Sequence, residues 1–444
     1  MTRTLLIAAA AFALPVSAQE PLDLPGAVQR ALTAHPSLTA AASRIDAAEA
    51  RRDQARSGFL PRVQYRESFQ RGNNPVYVFG ALLTQRQFTE ANFAINSLNR
   101  PDALNNFQSQ LSAEQTLWDF GATRRGIRTA EIGKELSQEE RRGLELQVLA
   151  GVARAYHGVT LAADALKVAE EAKKSAEADL QRAEAVRAAG LATEADVLSV
   201  KVHLASVEEQ RIRRQYDLDV ARAALNEALG LPLDTAHTLT SPLTPALPST
   251  ETTLETRARE DRPEVRGARL GGELADSQAS LARAQLLPRI VTRGVLEANR
   301  QTFVTRGGGN WMFMAALEWN LFDGNRARAQ AAEARHMAAS ARAQQRQMEN
   351  AVALEVRKAR ADVQSATERI AVSEAAVTQA EESLRILRNR YSAGLATMTD
   401  LLRAETALLE TKTRKLAAVY DQRMSAIALE RAAGTLNGAS NVLQ

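Results

Sequence analysis

Two stretches of this sequence, 122–189 and 325–393, each run for about 68 residues without a proline and keep a helical spacing of apolar and charged residues throughout. At 1.5 Å per residue such a helix is about 100 Å long, more than any globular core can cover. After Gly190 and after Gly394 the chain resumes as a second helical stretch, 194–229 or 398–433, of about 36 residues and roughly 54 Å. The opening stretches 24–57 and 252–285 read as helices of roughly 50 Å with Ala-rich, heptad-like spacing. Two short helices stacked end to end match one long helix, so a rod of helices about 100 Å tall is expected.

The chain carries this plan twice. Aligning 189–198, "AGLATEADVL", with 393–402, "AGLATMTDLL", gives seven identities in ten positions at an offset of 204. The same offset pairs Leu117-Trp118-Asp119 with Leu321-Phe322-Asp323, and Gly230 with Gly434. Upstream the offset becomes 227, pairing "HPSL" at 35 with "RPEV" at 262 and "LPRV" at 60 with "LPRI" at 287, so the first copy holds 23 extra residues. The expected divisions are a signal peptide 1–18, a first repeat 19–230, a linker 231–251 rich in Pro, Thr and Ser, a second repeat 252–434 and a tail 435–444.

Each opening helix ends at a Leu-Pro, where proline pushes its predecessor toward extended geometry, and strands are expected to follow at 63–69 and 290–296. Their partners are expected at 107–118, which alternates with a period of two, and at 311–322. Of the 19 aromatics after the signal peptide, 15 lie within 59–120 or 287–322, including Trp118, Phe120, Trp311, Trp319 and Phe322. Such placement fits a membrane barrel with aromatics at the lipid boundary, and equally a water-soluble β subdomain with an aromatic core. Strand arithmetic separates the two. Four strands of bilayer-spanning length cannot close alone, and open edges cannot stay unpaired in lipid, so a membrane barrel requires several chains, three of which give twelve strands.

The N-terminus, an Arg3 followed by the apolar run 5–14 and Val16-Ser17-Ala18, reads as an export signal cut after Ala18. With no cysteine, the exported chain is neither acylated nor disulfide-bonded. No later stretch has 18 uncharged apolar residues in a row, so no transmembrane helix is expected. The 56 basic and 52 acidic residues interleave along helices as solvated faces do, and no basic run is studded with aromatics, which argues against nucleic acid as a partner. Glu333 and His336 have a metal-bundle spacing without a second motif, and "RGGGN" at 306–310 lacks the Lys-Ser/Thr of a phosphate loop and reads as a flexible hairpin loop. His35, His157, His203, His237 and His336 are scattered, without ligand or triad spacing. No enzyme, cofactor or metal is expected.

In each repeated turn the glycine suits a left-handed helix end, the threonine an N-cap, and Asp196 or Asp400 the third helical position of a capping box. As caps, these aspartates would contribute about 1 kcal/mol each and leave permeants untouched. The signal, the paired Leu-Pro entries, "LWDFG", "LFDGN" and the twin "AGLAT" tips with their aspartates together resemble the TolC-like outer-membrane efflux proteins over essentially the whole mature chain. The resemblance implies a mostly α fold with a small β part: a homotrimer whose strands, four per chain, form an outer-membrane barrel continuous with a periplasmic tunnel of helical hairpins. It implies an exit duct of a tripartite efflux or type I secretion system, with a periplasmic adaptor (membrane fusion) protein, an inner-membrane transporter and outer-membrane lipid as partners. The first-copy insertion then becomes an extracellular loop, and Gly190, Leu191, Gly394 and Leu395 the surface that the adaptor reads.

Family members close the tunnel with tip carboxylates, a tyrosine and basic side chains, which Asp196, Asp400 and Tyr391 match. Ala396 stands where the family pattern has arginine and Arg403 where it has an acidic residue, so the closing network must differ here. Six tip carboxylates around a threefold axis are expected to favour cations and to raise one another's pKa. A periplasmic coiled-coil adaptor or scaffold is the alternative, sharing the hairpins and the signal but having no need of two aromatic-rich strand pairs.

Overall fold

The computed structural model describes residues 20–190, 192–246, 253–304 and 307–444. The expected signal peptide 1–18, Leu191 and part of the linker lie outside the described residues. In order the elements are β1 (Glu20–Leu22), α1 (Leu24–Ala34), α2 (Pro36–Arg56), β2 (Arg62–Gly72), α3 (Pro75–Thr84), α4 (Ile95–Asn99), β3 (Leu104–Trp118), α5 (Ala122–Ala188) and α6 (Glu194–Leu229). There follow β4 (His237–Leu239), α7 (Leu254–Asp261), α8 (Pro263–Ala284), β5 (Arg289–Arg300), β6 (Gly308–Glu318), α9 (Arg326–Ser392) and α10 (Met398–Ala433). Helices α5 and α9 are 67 residues each, and α6 and α10 are 36 each, as the proline-free runs require.

The opening helices depart from expectation. Each is broken, at His35 in the first repeat and at Arg262 in the second, because Pro36 and Pro263 force extended geometry on the residue before them. The second break is held by Arg262, a buried guanidinium that donates to Glu264 at 2.9 Å, to Glu355, and to the Ala432 carbonyl at 3.4 Å.

Two compact units divide the chain, and their boundaries fall inside helices rather than between the repeats. One gathers the described part of 1–41 with 140–266 and 348–444. Its largest apolar cluster packs Leu24 and Val28 of α1 against Val152 and Tyr156 of α5, Leu225 and Leu229 of α6, and Ile427 of α10. Tyr156 fastens the chain start to the linker: its hydroxyl donates to the Leu22 carbonyl at 2.9 Å and accepts from the Ser241 amide at 2.9 Å. The linker is therefore more than a spacer, since its strand β4 pairs in parallel with β1. Nor is the tail loose, because Val442 and Leu443 are buried in the same cluster. His157 is enclosed beside Tyr156, and burial, helped by the charge of Arg423, brings its pKa down to about 4, which keeps it neutral.

The other unit, 42–139 with 267–347, holds one antiparallel sheet in the order β2-β3-β5-β6. Its strands have 11, 15, 12 and 11 residues, enough to cross a bilayer at a tilt, and all are longer or differently bounded than the sequence suggested. Strand β6 begins at Gly308, so most of "RGGGN" is strand rather than flexible loop, and it stops before Trp319 and Phe322. The register produces one row of Tyr65, Leu111, Leu296 and Trp311, and beside it a row of Arg66, Gln110, Glu297 and Asn310. Alternation sends these rows to opposite faces, one largely apolar and one polar. Trp311 on the apolar face is 79% exposed.

The insertion between β2 and β3 folds rather than trailing free. Asn74 caps α3, accepting from the amides of Val76 and Tyr77, and Val78 and Ala81 pack on Leu104. Gln85, 3% exposed, donates to the Asn105 carbonyl at 2.8 Å and to Asn106 Oδ1 at 2.9 Å, and Asn106 passes the chain on to Asn299 Oδ1 at 2.9 Å. Arg86 donates to the Gly309 carbonyl at 3.0 Å. By the same alternation Asn106 and Asn299 belong to the polar face, so the insertion is tied down on that face.

Candidate functional site

The two helical hairpins, α5/α6 and α9/α10, end in turns of one design. Gly190 (φ 77°) and Gly394 (φ 72°) take the left-handed conformation that a Cβ would strain. At the second tip the Gly394 amide donates to the Tyr391 carbonyl at 3.0 Å and the Leu395 amide to the Arg390 carbonyl at 2.8 Å, satisfying the last carbonyls of α9. Leu395 is left 68% exposed, an apolar side chain displayed on the turn.

Both expected capping boxes form. Asp196 Oδ2 accepts from the Thr193 amide at 2.9 Å and its hydroxyl at 2.8 Å, and Asp400 Oδ2 accepts from the Thr397 amide at 3.1 Å and its hydroxyl at 2.6 Å. In each box the threonine oxygen also accepts the aspartate amide at 3.2 Å. The Thr193 amide and hydroxyl hold the Asp196 carboxyl below its usual pKa. Asp400 is lowered by its bonds from Thr397 and then by the charges of Arg403 and Arg390. The caps of the single chain thus act against the upward shift expected from crowding carboxylates, and both groups stay ionised.

Immediately inside the tips Ala183, Val197, Val200, Leu384, Met398 and Leu401 form an apolar cluster drawn from all four helices, with Tyr391 packed against it. Burial pushes the Tyr391 hydroxyl up, the charge of Asp196 adds to the shift, and Arg182 opposes it. The structure therefore brings Tyr391 of one hairpin into the field of Asp196 of the other. Ala396 is half-buried and adds no charge, whereas exposed Arg403 sets a cation beside Asp400. Leu191 lies outside the described residues.

Next to that cluster is a polar group that no sequence spacing revealed. Glu405, 8% exposed, accepts from Arg388 at 2.8 Å and from the Ser175 hydroxyl at 2.9 Å, and its other oxygen lies 3.5 Å from His203 Nε2. The four line a cavity of about 170 Å³. Burial raises the Glu405 pKa, but the approach of His203, the bonds from Arg388 and Ser175 and the Arg388 charge outweigh it, and the carboxyl ends below its ordinary value. Each residue comes from a different helix, so no local motif could have gathered them.

At the sheet, Trp118 and Phe120 meet edge to face at 5.9 Å, and Trp319 donates to the Leu286 carbonyl at 3.1 Å. Trp118 ends β3 and Trp319 follows β6, with exposed Phe322 just beyond, so these aromatics gather where strands give way to helices. Trp311 instead sits within the apolar face.

A family model described as outer membrane efflux protein matches residues 27–231 and 254–435, one segment in each repeat. The alkaline protease secretion protein AprF of Pseudomonas aeruginosa is 26% identical over 418 residues, covering 92% of this chain and 84% of that one. Protein CyaE of Bordetella pertussis is 26% identical over 343 residues, covering 76% and 72%. Among solved structures, the outer-membrane channel OprN superposes with a TM-score of 0.79 at 22% identity, over 93% of this chain and 90% of that one. The outer membrane protein VceC of Vibrio cholerae gives 0.78 at 24% identity, over 93% and 96%.

Proposed function

Because this chain belongs to the outer membrane efflux protein family, we propose that three copies assemble into one channel, their four-stranded sheets joining into a twelve-stranded barrel and their hairpins into a periplasmic tunnel. The protein is an exit duct in the outer membrane of a Gram-negative bacterium, serving efflux or type I secretion. The observation that carries the trimer is the sheet itself. Both β2 and β6 have only one neighbour among the described residues, and one face shows an exposed row ending in Trp311. Edges like these aggregate in water and cannot exist in lipid, whereas joining β6 of one chain to β2 of the next removes every edge. Cargo passes without covalent chemistry. The adaptor meets the tips at Gly190, Leu191, Gly394 and Leu395, and an inner-membrane transporter stands behind it. Two relatives are named for protease secretion, which favours a polypeptide cargo.

The exported protein is expected in the outer-membrane fraction, running as a trimer on mild-detergent gels. Recovery as a soluble periplasmic monomer would sink the channel and restore the coiled-coil scaffold, for which an exposed apolar sheet has no use.

The gate we place at Asp196, Asp400 and Tyr391, with Arg403 as a counter-charge. Asparagine at 196 and 400 keeps an acceptor for each cap while removing the charge, so it separates the two roles that alanine would confound. In single-channel recordings at low salt, the Asp196→Asn, Asp400→Asn pair is expected to lower the cation-to-anion permeability ratio about two- to threefold, and Arg403→Glu to raise it. Since the caps hold both carboxyls below their ordinary pKa, the parental selectivity should persist on mild acidification and fade only as the pH falls below the ordinary aspartate range. An unchanged ratio in the asparagine pair would leave these residues as caps alone.

A further inference from the structure

The sheet face that carries Trp311 is apolar along most of its length, and its charges gather at one end. On that face the register sets Phe69 of β2 and Phe107 of β3 level with Arg300 of β5, and, two residues nearer the long helices, Glu67 level with Ser109 and Ala298. Alternation places Arg71 two residues farther out on the same face. From Glu67 toward the long helices the described strand residues of this face are uncharged, and Val63, Leu296, Phe313 and Leu317 among them are exposed. The ion pair at the opposite end, Arg289 with Glu318 at 2.6 Å, belongs to the other face. The long helices attach at that opposite end, whereas the insertion and the β5–β6 turn lie at the end with the arginines. In a barrel with periplasmic helices, Arg71 and Arg300 therefore stand at the outer boundary of the membrane.

The carboxylate among them is already engaged. Glu67 Oε1 accepts from Arg300 Nη2 at 2.9 Å, and its other oxygen accepts from the Tyr65 hydroxyl at 2.6 Å and from the Ser109 hydroxyl. Glu67 thus fixes how Arg300 is presented, and the Phe303 ring covers the guanidinium with its centroid 5.3 Å away. Arg300 Nε has no acceptor among the described residues. Arg71 is exposed and has no partner among them either. Two guanidinium groups against one carboxylate leave a net positive charge at the membrane boundary. Resting on the reading of the chain as a channel protomer, we propose that this rim binds a phosphorylated lipid of the outer leaflet, Arg71 and the remaining N–H groups of Arg300 taking its phosphate. A planar guanidinium fork matches phosphate oxygens, and an arginine is tolerated on a lipid-facing strand near the boundary though not at the bilayer centre. The row of Leu296 and Trp311 lies four residues farther in, about 13 Å along the strand. Acyl chains descending from a phosphate at the rim would lie on that row and on Phe313 below it. A free anion has no use for this apolar ground.

The test titrates the purified protein in a neutral detergent with lipid A, a phosphorylated glycolipid, and counts bound lipid by native mass spectrometry, with phosphatidylcholine as the zwitterionic control. Arg71→Gln is expected to weaken lipid A binding about fivefold, and the Glu67→Gln, Arg300→Gln pair about tenfold, while phosphatidylcholine binding stays at the parental level. The pair is changed together because Arg300→Gln alone would strand the Glu67 charge on a lipid-facing surface. Should the double variant fail to assemble, Arg71→Gln decides by the same outcomes. Unchanged lipid A affinity overturns the site. Equal weakening of phosphatidylcholine also overturns it, since that reports a disturbed barrel rather than a lost phosphate contact. Displacement of lipid A by an equal concentration of inorganic phosphate overturns it as well, because the rim would then be an anion site indifferent to acyl chains. The named residues all belong to one chain, so arginine-dependent lipid A binding by a protein that runs as a monomer would count against the trimer and leave the lipid site standing.

Discussion

Leu395→Asp is expected to reduce export at least about 30-fold while trimer yield and outer-membrane insertion stay at parental levels. Leu395 hydrogen-bonds through its amide alone, to Arg390 at 2.8 Å, and its side chain is 68% exposed, so the fold does not depend on what that side chain is. A partner that covers it would lose about 1.5–3 kcal/mol of apolar burial and also have to desolvate a carboxylate. Together these exceed the roughly 2 kcal/mol that a 30-fold loss of affinity represents. Gly394→Pro tests the turn rather than the surface. Proline cannot adopt a φ of 72° and removes the amide that bonds Tyr391, so the tip must rebuild. Export assays with parallel blots of the trimer distinguish the two cases. Loss of export together with loss of trimer in Leu395→Asp would assign the residue to folding and leave docking elsewhere.

What could be read from the sequence was what local chemistry decides. The tips were legible down to their hydrogen bonds, because a left-handed glycine and a threonine-aspartate capping box draw on residues within a few positions of one another. Helix lengths followed from the absence of proline. The breaks at His35 and Arg262 were available in the same way, since each precedes a proline, but a continuous Ala-rich pattern hid them. Strand ends were less legible. Polar residues such as Asn105, Asn106 and Asn299 extend β3 and β5 beyond their apolar stretches because cross-strand partners and Gln85, not alternation, hold them there. Least legible were contacts between distant segments. Tyr156 holding the chain start to the linker, and Glu405 joining four helices, depend on meetings between residues up to 230 positions apart. The histidine that sequence spacing set aside as isolated, His203, is a member of that group.

The insertion supplies the other large effect. Gln85 and Arg86 bind it to Asn106 and to the Gly309 carbonyl on or beside the polar face of the sheet, and in a closed membrane barrel the polar face is the one that lines the lumen. In the proposed trimer three insertions would narrow the outer mouth, in series with the gate proposed at the tips. Current through two constrictions in series is set mostly by the tighter one, so removing one of them shows fully only when the other is relaxed. Replacing 75–101 by a short Gly-Ser turn is expected to raise single-channel conductance about twofold or more, with a larger gain in the Asp196→Asn, Asp400→Asn background if the tips are the tighter point. Gln85→Ala with Arg86→Ala, which cuts the ties to Asn106 and Gly309 but keeps the packing of Val78 and Ala81 on Leu104, should instead make the current flicker between two levels, because the end of α3 loosened from the wall enters and leaves the path. Conductance unchanged by the replacement in both backgrounds would mean that the insertion lies flat against the wall and that the tips alone limit flow.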